Sequence, residues 1–131
     1  MLLRLPPTKV ALALKIGAVG DGVTDDSANI QAALNSGAKL ILLPRGDYKI
    51  TSTLTIPTSV FLRGDGINNT QISNDSNTFA FTLTNCIGSG TEGIYIYSVG
   101  TDGAEKGILI EQSGTGNSRN NFVRSCWFNG R

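Results

Sequence analysis

GAVGDGVTDDSANIQAALNSGAKLILLPRGD, running from Gly17 to Asp47, is the stretch on which the fold turns. Gly20-Asp21-Gly22 predicts a sharp bend, since glycine takes positive φ without steric cost. Thr24-Asp25-Asp26-Ser27 offers side-chain oxygens to the free amides of a helix start, and its acids suit the positive end of the helix dipole. Ile30, Ala33 and Leu34 fall at i, i+3 and i+4, a narrow apolar stripe. Asn35-Ser36-Gly37 stops the helix, with Gly37 as its C′ residue. Leu40-Ile41-Leu42-Leu43 is too short for a helix and apolar on both faces, as a buried strand is, and Pro44 ends it.

Downstream lies a series of short apolar strands separated by Gly, Asn, Ser and Asp turns. Tyr48-Lys49-Ile50, Leu54-Thr55-Ile56 and Val60-Phe61-Leu62 follow closely, with Pro57 at a corner. Then come Gln71-Ile72, Phe79 to Leu83, Ile94 to Tyr97, Ile108 to Ile110, and Phe122 to Phe128. Alternation in Phe79/Phe81/Leu83, Ile94/Ile96, Ile108/Ile110 and Cys126/Phe128 predicts half-buried strands whose inside residues lie two apart. An antiparallel sandwich would use similar strands, but two-residue hairpin signals are scarce, Asn129-Gly130 occurring only at the terminus. Upstream, Leu5 to Ile16 reads as an extended lead-in, with Val10, Leu12 and Leu14 facing one way. Pro6-Pro7 and Lys9 precede its apolar run and Lys15 cuts it short, so neither a signal peptide nor a membrane segment is seen.

Four of these motifs, Gly-Asp-Gly-Val-Thr-Asp-Asp at 20–26, Ile30-Gln31-Ala32-Ala33-Leu34, Pro44-x-Gly46-x-Tyr48 and Val60-x-Leu62-Arg63-Gly64-x-Gly66, together resemble the opening of the pectate-lyase-like family, bacteriophage tailspike type. The resemblance runs in one order from Ile16 to Gly66. It implies an all-β fold, a right-handed parallel β-helix with three strands per coil. Its capping α-helix would be Asp26–Ser36, lying across the first coil. The chain then divides into a lead-in over 1–15 and β-helix coils over 16–131. Leu62, Ile96 and Phe128 would hold similar places on successive coils, roughly thirty residues apart, after a first coil of about twenty from Ile41 to Leu62. Nothing comparable closes the far end, so the chain reads as the N-terminal portion of a longer β-helix, truncated at its C-terminal end, or as a degenerate short copy of one.

At 131 residues the chain makes one domain with a real core. Eleven basic and ten acidic groups leave no preference for nucleic acid or an anionic membrane. Histidine is absent, which excludes a Ser-His-Asp or Cys-His site and leaves no ordinary zinc site. Cys86 and Cys126 read as small buried hydrophobes. Gly17-x-x-Gly20-x-Gly22 has the wrong spacing for a dinucleotide turn, and Asp21, Asp25 and Asp26 would repel phosphate. Val23 and Ala32 break a calcium-loop reading. No cofactor or metal is expected. Arg-Gly-Asp at 45–47 and 63–65 falls at strand-to-turn junctions, away from the exposed loop tip that adhesion recognition needs.

Tyr95 and Tyr97 should point outward if Ile94 and Ile96 point in, and Trp127 should share their sheet. Outward aromatics on a flat parallel sheet suit sugar stacking and equally suit a subunit interface. Glu111 should also face outward, next to inward Ile110. Tyr95, Tyr97, Glu111 and Trp127 are therefore the carbohydrate-binding candidates. Glu92, Asp102 and Glu105 are further outward acids, and Arg124 and Lys106 the available bases, but no spacing forces the paired carboxylates that glycoside hydrolysis needs. The catalytic residues stay unassigned.

The resemblance implies part of a phage or prophage tailspike that binds, and in full length depolymerises, a bacterial surface polysaccharide as a homotrimer. Its place would be the virion tail or outside the cell. The alternatives are a non-catalytic structural or adhesive stem of a trimeric fibre, and a secreted pectin-degrading lyase or hydrolase.

Overall fold

The computed structural model describes residues 10–12, 17–99, 106–112, 114, 118–124 and 126–129. Among them the chain forms β1 (Val10–Leu12), β2 (Asp21–Asp25), α1 (Ser27–Leu34), β3 (Leu40–Leu43), β4 (Gly46–Ile50), β5 (Leu54–Thr55) and β6 (Phe61–Gly64). There follow β7 (Thr70–Asn74), β8 (Phe79–Thr84), β9 (Gly90–Glu92), β10 (Tyr95–Ser98), β11 (Lys106–Glu111), β12 (Phe122–Arg124) and β13 (Trp127–Asn129). Successive strands never pair with each other. Strands three apart do, and β1 with β3 and β2 with β4 where α1 intervenes, which gives three sheets ordered β1-β3-β6-β9-β12, β13-β10-β7-β4-β2 and β11-β8-β5. All of these pairings are parallel. This is the expected right-handed parallel β-helix, of about four turns.

The core is a set of apolar columns along the axis. In the second sheet Tyr48, Ile72, Ile96 and Phe128 lie in register, and in the third Leu54, Phe81 and Ile108 do. Tyr48, Ile72, Leu54 and Phe81 are essentially sealed from solvent. Burying a side chain of this size contributes roughly 1.5–3 kcal/mol, so each column is worth several kcal/mol before chain entropy is subtracted. The expected stacking of Leu62 with Ile96 does not occur. Leu62 belongs to the first sheet, between Ile41 below and Thr91 above, whereas Ile96 pairs with Phe128 as expected. The loop Asp65–Asn69 lengthens the corner between β6 and β7, and β9 carries Thr91 over Leu62 with no large apolar side chain, so the next alternating apolar residue, Ile96, stands on the second sheet.

Helix α1 occupies the place of a third-sheet strand beneath β5, and buries Ile30, Ala33 and Leu34 against the first coil. The Gln31 side-chain amide finishes the job. Its Nε2 donates to the Thr55 carbonyl at 2.9 Å and its Oε1 accepts from the Thr55 amide at 2.8 Å, as a neighbouring peptide would. Ser27 Oγ accepts from the Thr51 amide at 2.8 Å, and the Asp26 amide donates to the Lys49 carbonyl at 2.8 Å.

The Gly-Asp-Gly-Val-Thr-Asp-Asp motif is more ordered than a bend. Gly20 and Gly22 have φ of 71° and 75°, as expected, but Asp21–Asp25 is a strand that pairs irregularly with β4. Asp26, read as a helix-capping side chain, turns backwards instead. Its buried carboxylate accepts from the amides of Val19 at 2.8 Å and Gly20 at 2.9 Å. Asp25 takes up the Ser27 amide, and Asp21 those of Val23 and Thr24. The helix ends at Asn35, so Gly37, though at φ 89°, lies one place beyond the expected C′ position.

At the opposite end Ile110, Val123 and Phe128 are each about two-fifths exposed. Cys86 is buried and Cys126 half-buried, both as free thiols. Among the described residues no helix is long and apolar enough to cross a membrane. Leu14, Asp102 and Glu105 lie outside the described residues.

Candidate functional site

The outer face of the second sheet collects the outward residues of β2, β4, β7, β10 and β13. One column runs Asp21, Asp47, Gln71 and Tyr95; the next runs Asp25, Lys49, Ser73 and Tyr97, with the β13 backbone continuing the register at 127 and 129. Parallel stacking without register shift between β4 and β13 puts residues roughly 4.8 Å apart along each column. Tyr95 and Tyr97 do point outward, both half-buried, with ring centroids 5.8 Å apart and planes inclined at 36°.

Tyr97 is held in place from two coils below. Its hydroxyl donates to Asp47 Oδ2 at 2.7 Å, and Ser73 Oγ donates to Asp47 Oδ1 at 2.9 Å. Burial first, and then the hydrogen bond to Asp47, pushes the Tyr97 phenol above its ordinary value. Gly22 makes room beneath, because a Cβ there would stand 3.0 Å from Asp47 Oδ2. Beside this pair an open cleft of about 440 Å³ is lined by Ile67, Asn68, Gln71 and Tyr95. Tyr95 is thus a wall of a concave surface and Tyr97 a buttress.

Glu111 faces outward as expected, but on the third sheet, where its Oε1 accepts from Thr84 Oγ1 at 3.1 Å. The structure does not bring it together with the tyrosines. Trp127 lies in β13, paired with Tyr95 through the backbone. Glu92 and Arg124 sit on the outer face of the first sheet in one column with Arg63. Arg63 Nε bonds Glu92 Oε2 at 3.3 Å, and the Arg124 guanidinium lies 4.7 Å over the Phe122 ring. The two Arg-Gly-Asp copies are likewise absorbed into structure, Asp47 by Ser73 and Tyr97, Arg63 by Glu92. Among the described residues no three acids or cysteines gather into a metal site.

Ile67, Asn68, Gln71, Ser73 and Asp47 were not marked as site residues by the sequence. Their signal lay in the coil spacing, for Ser73 and Asp47 are 26 residues apart and Tyr97 and Asp47 50. That signal becomes legible only once the loop at 65–69 has been assigned.

Residues 13–126 match the family described as rhamnogalacturonase A/epimerase, pectate lyase-like. The chain belongs to that family. Within this pectate lyase-like family, the pre-neck appendage protein of Bacillus phage B103 is 31% identical over 106 residues, covering 79% of this chain and 12% of that protein. ORF18 of Geobacillus virus E2 superposes with a TM-score of 0.68 at 28% identity, over 77% of this chain and 23% of that one. The A-module of mannuronan C-5 epimerase AlgE6 from Azotobacter vinelandii gives a TM-score of 0.71 at 23% identity, over 90% of this chain and 37% of that one, a likeness of fold. The chain spans 12–13% of the length of the phage appendage relatives it matches.

Proposed function

We propose that these coils form the N-terminal part of a phage tail appendage whose β-helix holds a bacterial surface polysaccharide on the outer face of its second sheet. One observation carries the reading. Tyr95 walls an amide-lined cleft on a rigid sheet, and Tyr97 beside it is anchored by Asp47. Aromatic walls with adjacent amides suit the apolar faces and hydroxyls of a sugar. The phage appendage and viral relatives support a place in the virion tail.

Holding rather than cutting is favoured within these coils. Both Asp47 oxygens are engaged and Glu111 lies on a different sheet. Depolymerisation by the full-length protein would appear as falling viscosity or new reducing ends when it is incubated with capsule or O-antigen. A second reading, a non-catalytic stem packed in a homotrimer, draws on the same tyrosines, because Tyr is enriched at protein interfaces.

The deciding experiment compares Tyr95→Ala and Tyr97→Ala with the parent chain in polysaccharide retention and in mass by light scattering. The binding reading expects retention to fall about tenfold, the loss of one good stacking contact, at unchanged mass. A changed mass with intact retention would favour the stem. No change in either removes this face from function.

A further inference from the structure

Resting on that binding reading, we propose that the Tyr95 cleft takes an uncharged sugar, a neutral hexose or an N-acetylated hexosamine, and discriminates against a uronate. Among the described residues the lining is two primary amides, one apolar side chain and one phenol ring. Amides of Asn68 and Gln71 each donate and accept, which matches sugar hydroxyls and an acetamide group. Ile67 and the Tyr95 ring give the C–H face of a pyranose its apolar contact.

Among the described residues a carboxylate would find no counter-ion there. On the outer face of this sheet the charged side chains in the described strands are Asp21, Asp25 and Asp47 against Lys49. Asp47 stands directly below Gln71 in the column, about one strand spacing from the cleft. Arg63 and Arg124 belong to the first sheet, on another side of the prism, and Arg63 is already paired with Glu92. Arg45 is at a corner one coil down and does not line the cleft. A sugar acid would therefore be placed beside like charge, the arrangement by which a site rejects a competitor.

The test titrates isotope-labelled chain with maltotetraose, chitotetraose and tetragalacturonate, following the Asn68 and Gln71 side-chain amide resonances, in parent, Tyr95→Ala and Gln71→Lys forms. At least one neutral oligomer should shift both amides, with affinity about tenfold weaker after Tyr95→Ala. Tetragalacturonate should bind about tenfold more weakly than that oligomer at about 0.02 M salt, and the gap should narrow near 0.3 M as Asp47 is screened. Gln71→Lys should raise tetragalacturonate affinity by supplying the missing cation. Tetragalacturonate binding as tightly as the neutral oligomers in the parent overturns this inference and leaves the sugar-binding reading standing. Absence of any shift, or shifts that survive Tyr95→Ala, overturns both.

Discussion

Replacing Gln31 by methionine removes the amide and little else. The two residues have similar volume and similar helix propensity, so α1 should persist. What disappears is the pair of hydrogen bonds to Thr55, 2.9 Å and 2.8 Å long, together with a surface bond from Gln31 Nε2 to Asn35 Oδ1 at 3.1 Å. Each is worth about 0.5–1.5 kcal/mol net, and because Thr55 is exposed, water can replace part of the loss. The expected cost is therefore about 1–2 kcal/mol, or roughly 5 °C in melting temperature for a domain of this size. Hydrogen exchange should localise the effect, the Thr55 amide losing about tenfold protection while Ile72 and Ile96 at mid-stack keep theirs. Gln31→Glu sharpens the argument. At neutral pH its carboxylate would face the Thr55 carbonyl and destabilise at least as much, and protonation below about pH 4 should restore the donor and part of the stability. If the Thr55 amide exchanges at its normal rate in Gln31→Met and the melting temperature stays put, the amide is not acting as a surrogate strand.

Asp26→Ala should cost about 1–3 kcal/mol in urea unfolding, because it removes two charge-assisted hydrogen bonds and leaves a void at a buried position, while water can reach the part-exposed amides of Val19 and Gly20. Gly64→Ala should cost about 3 kcal/mol or more, since a Cβ there would sit 2.8 Å from Thr70 Cβ and 2.9 Å from Ile94 Cγ1; a thermal melt near the parent value would refute this. Tyr48 is pushed up to about 12 by burial and then by the Asp26 charge, so its contribution is intact below pH 10. Stability should therefore decline as pH rises from 10 towards about 12, seen as a falling urea midpoint, and Tyr97 acts in the same direction. Asp47→Asn should let the Tyr97 phenol ionise at lower pH, read by ultraviolet absorbance against pH, because the carboxylate helps hold that proton.

The fold was legible where short-range chemistry and the pattern of two coincide. Ile94 and Ile96 buried with Tyr95 and Tyr97 outward, and Glu111 outward on β11, follow from alternation alone. The capping helix was legible from Ile30, Ala33 and Leu34. Stacking across coils was not, because it depends on corner lengths and because β9, Gly90-Thr91-Glu92, sets a threonine over Leu62 where the pattern calls for an apolar residue. The same cause hid the candidate site. Asp47 looks like a turn residue locally, and only stacking places it under Gln71 and within reach of Tyr97. Asp26 was misassigned for a different reason. An acid at a helix start usually serves the helix, but here the buried carboxylate turns to two amides of the preceding turn, those of exposed Val19 and half-buried Gly20.

A stack of parallel strands is a polymer with two growing tips, and any exposed tip can recruit a strand from another molecule. At the lower tip of the third sheet, Gln31 behaves as a chain terminator does in synthesis: it fills the last coordination position and offers no further one in line. A foreign coil arriving from below could register on two sides of the prism at most. End-on filament growth by main-chain pairing is thereby handicapped in that direction, so crowded copies are steered towards lateral contact.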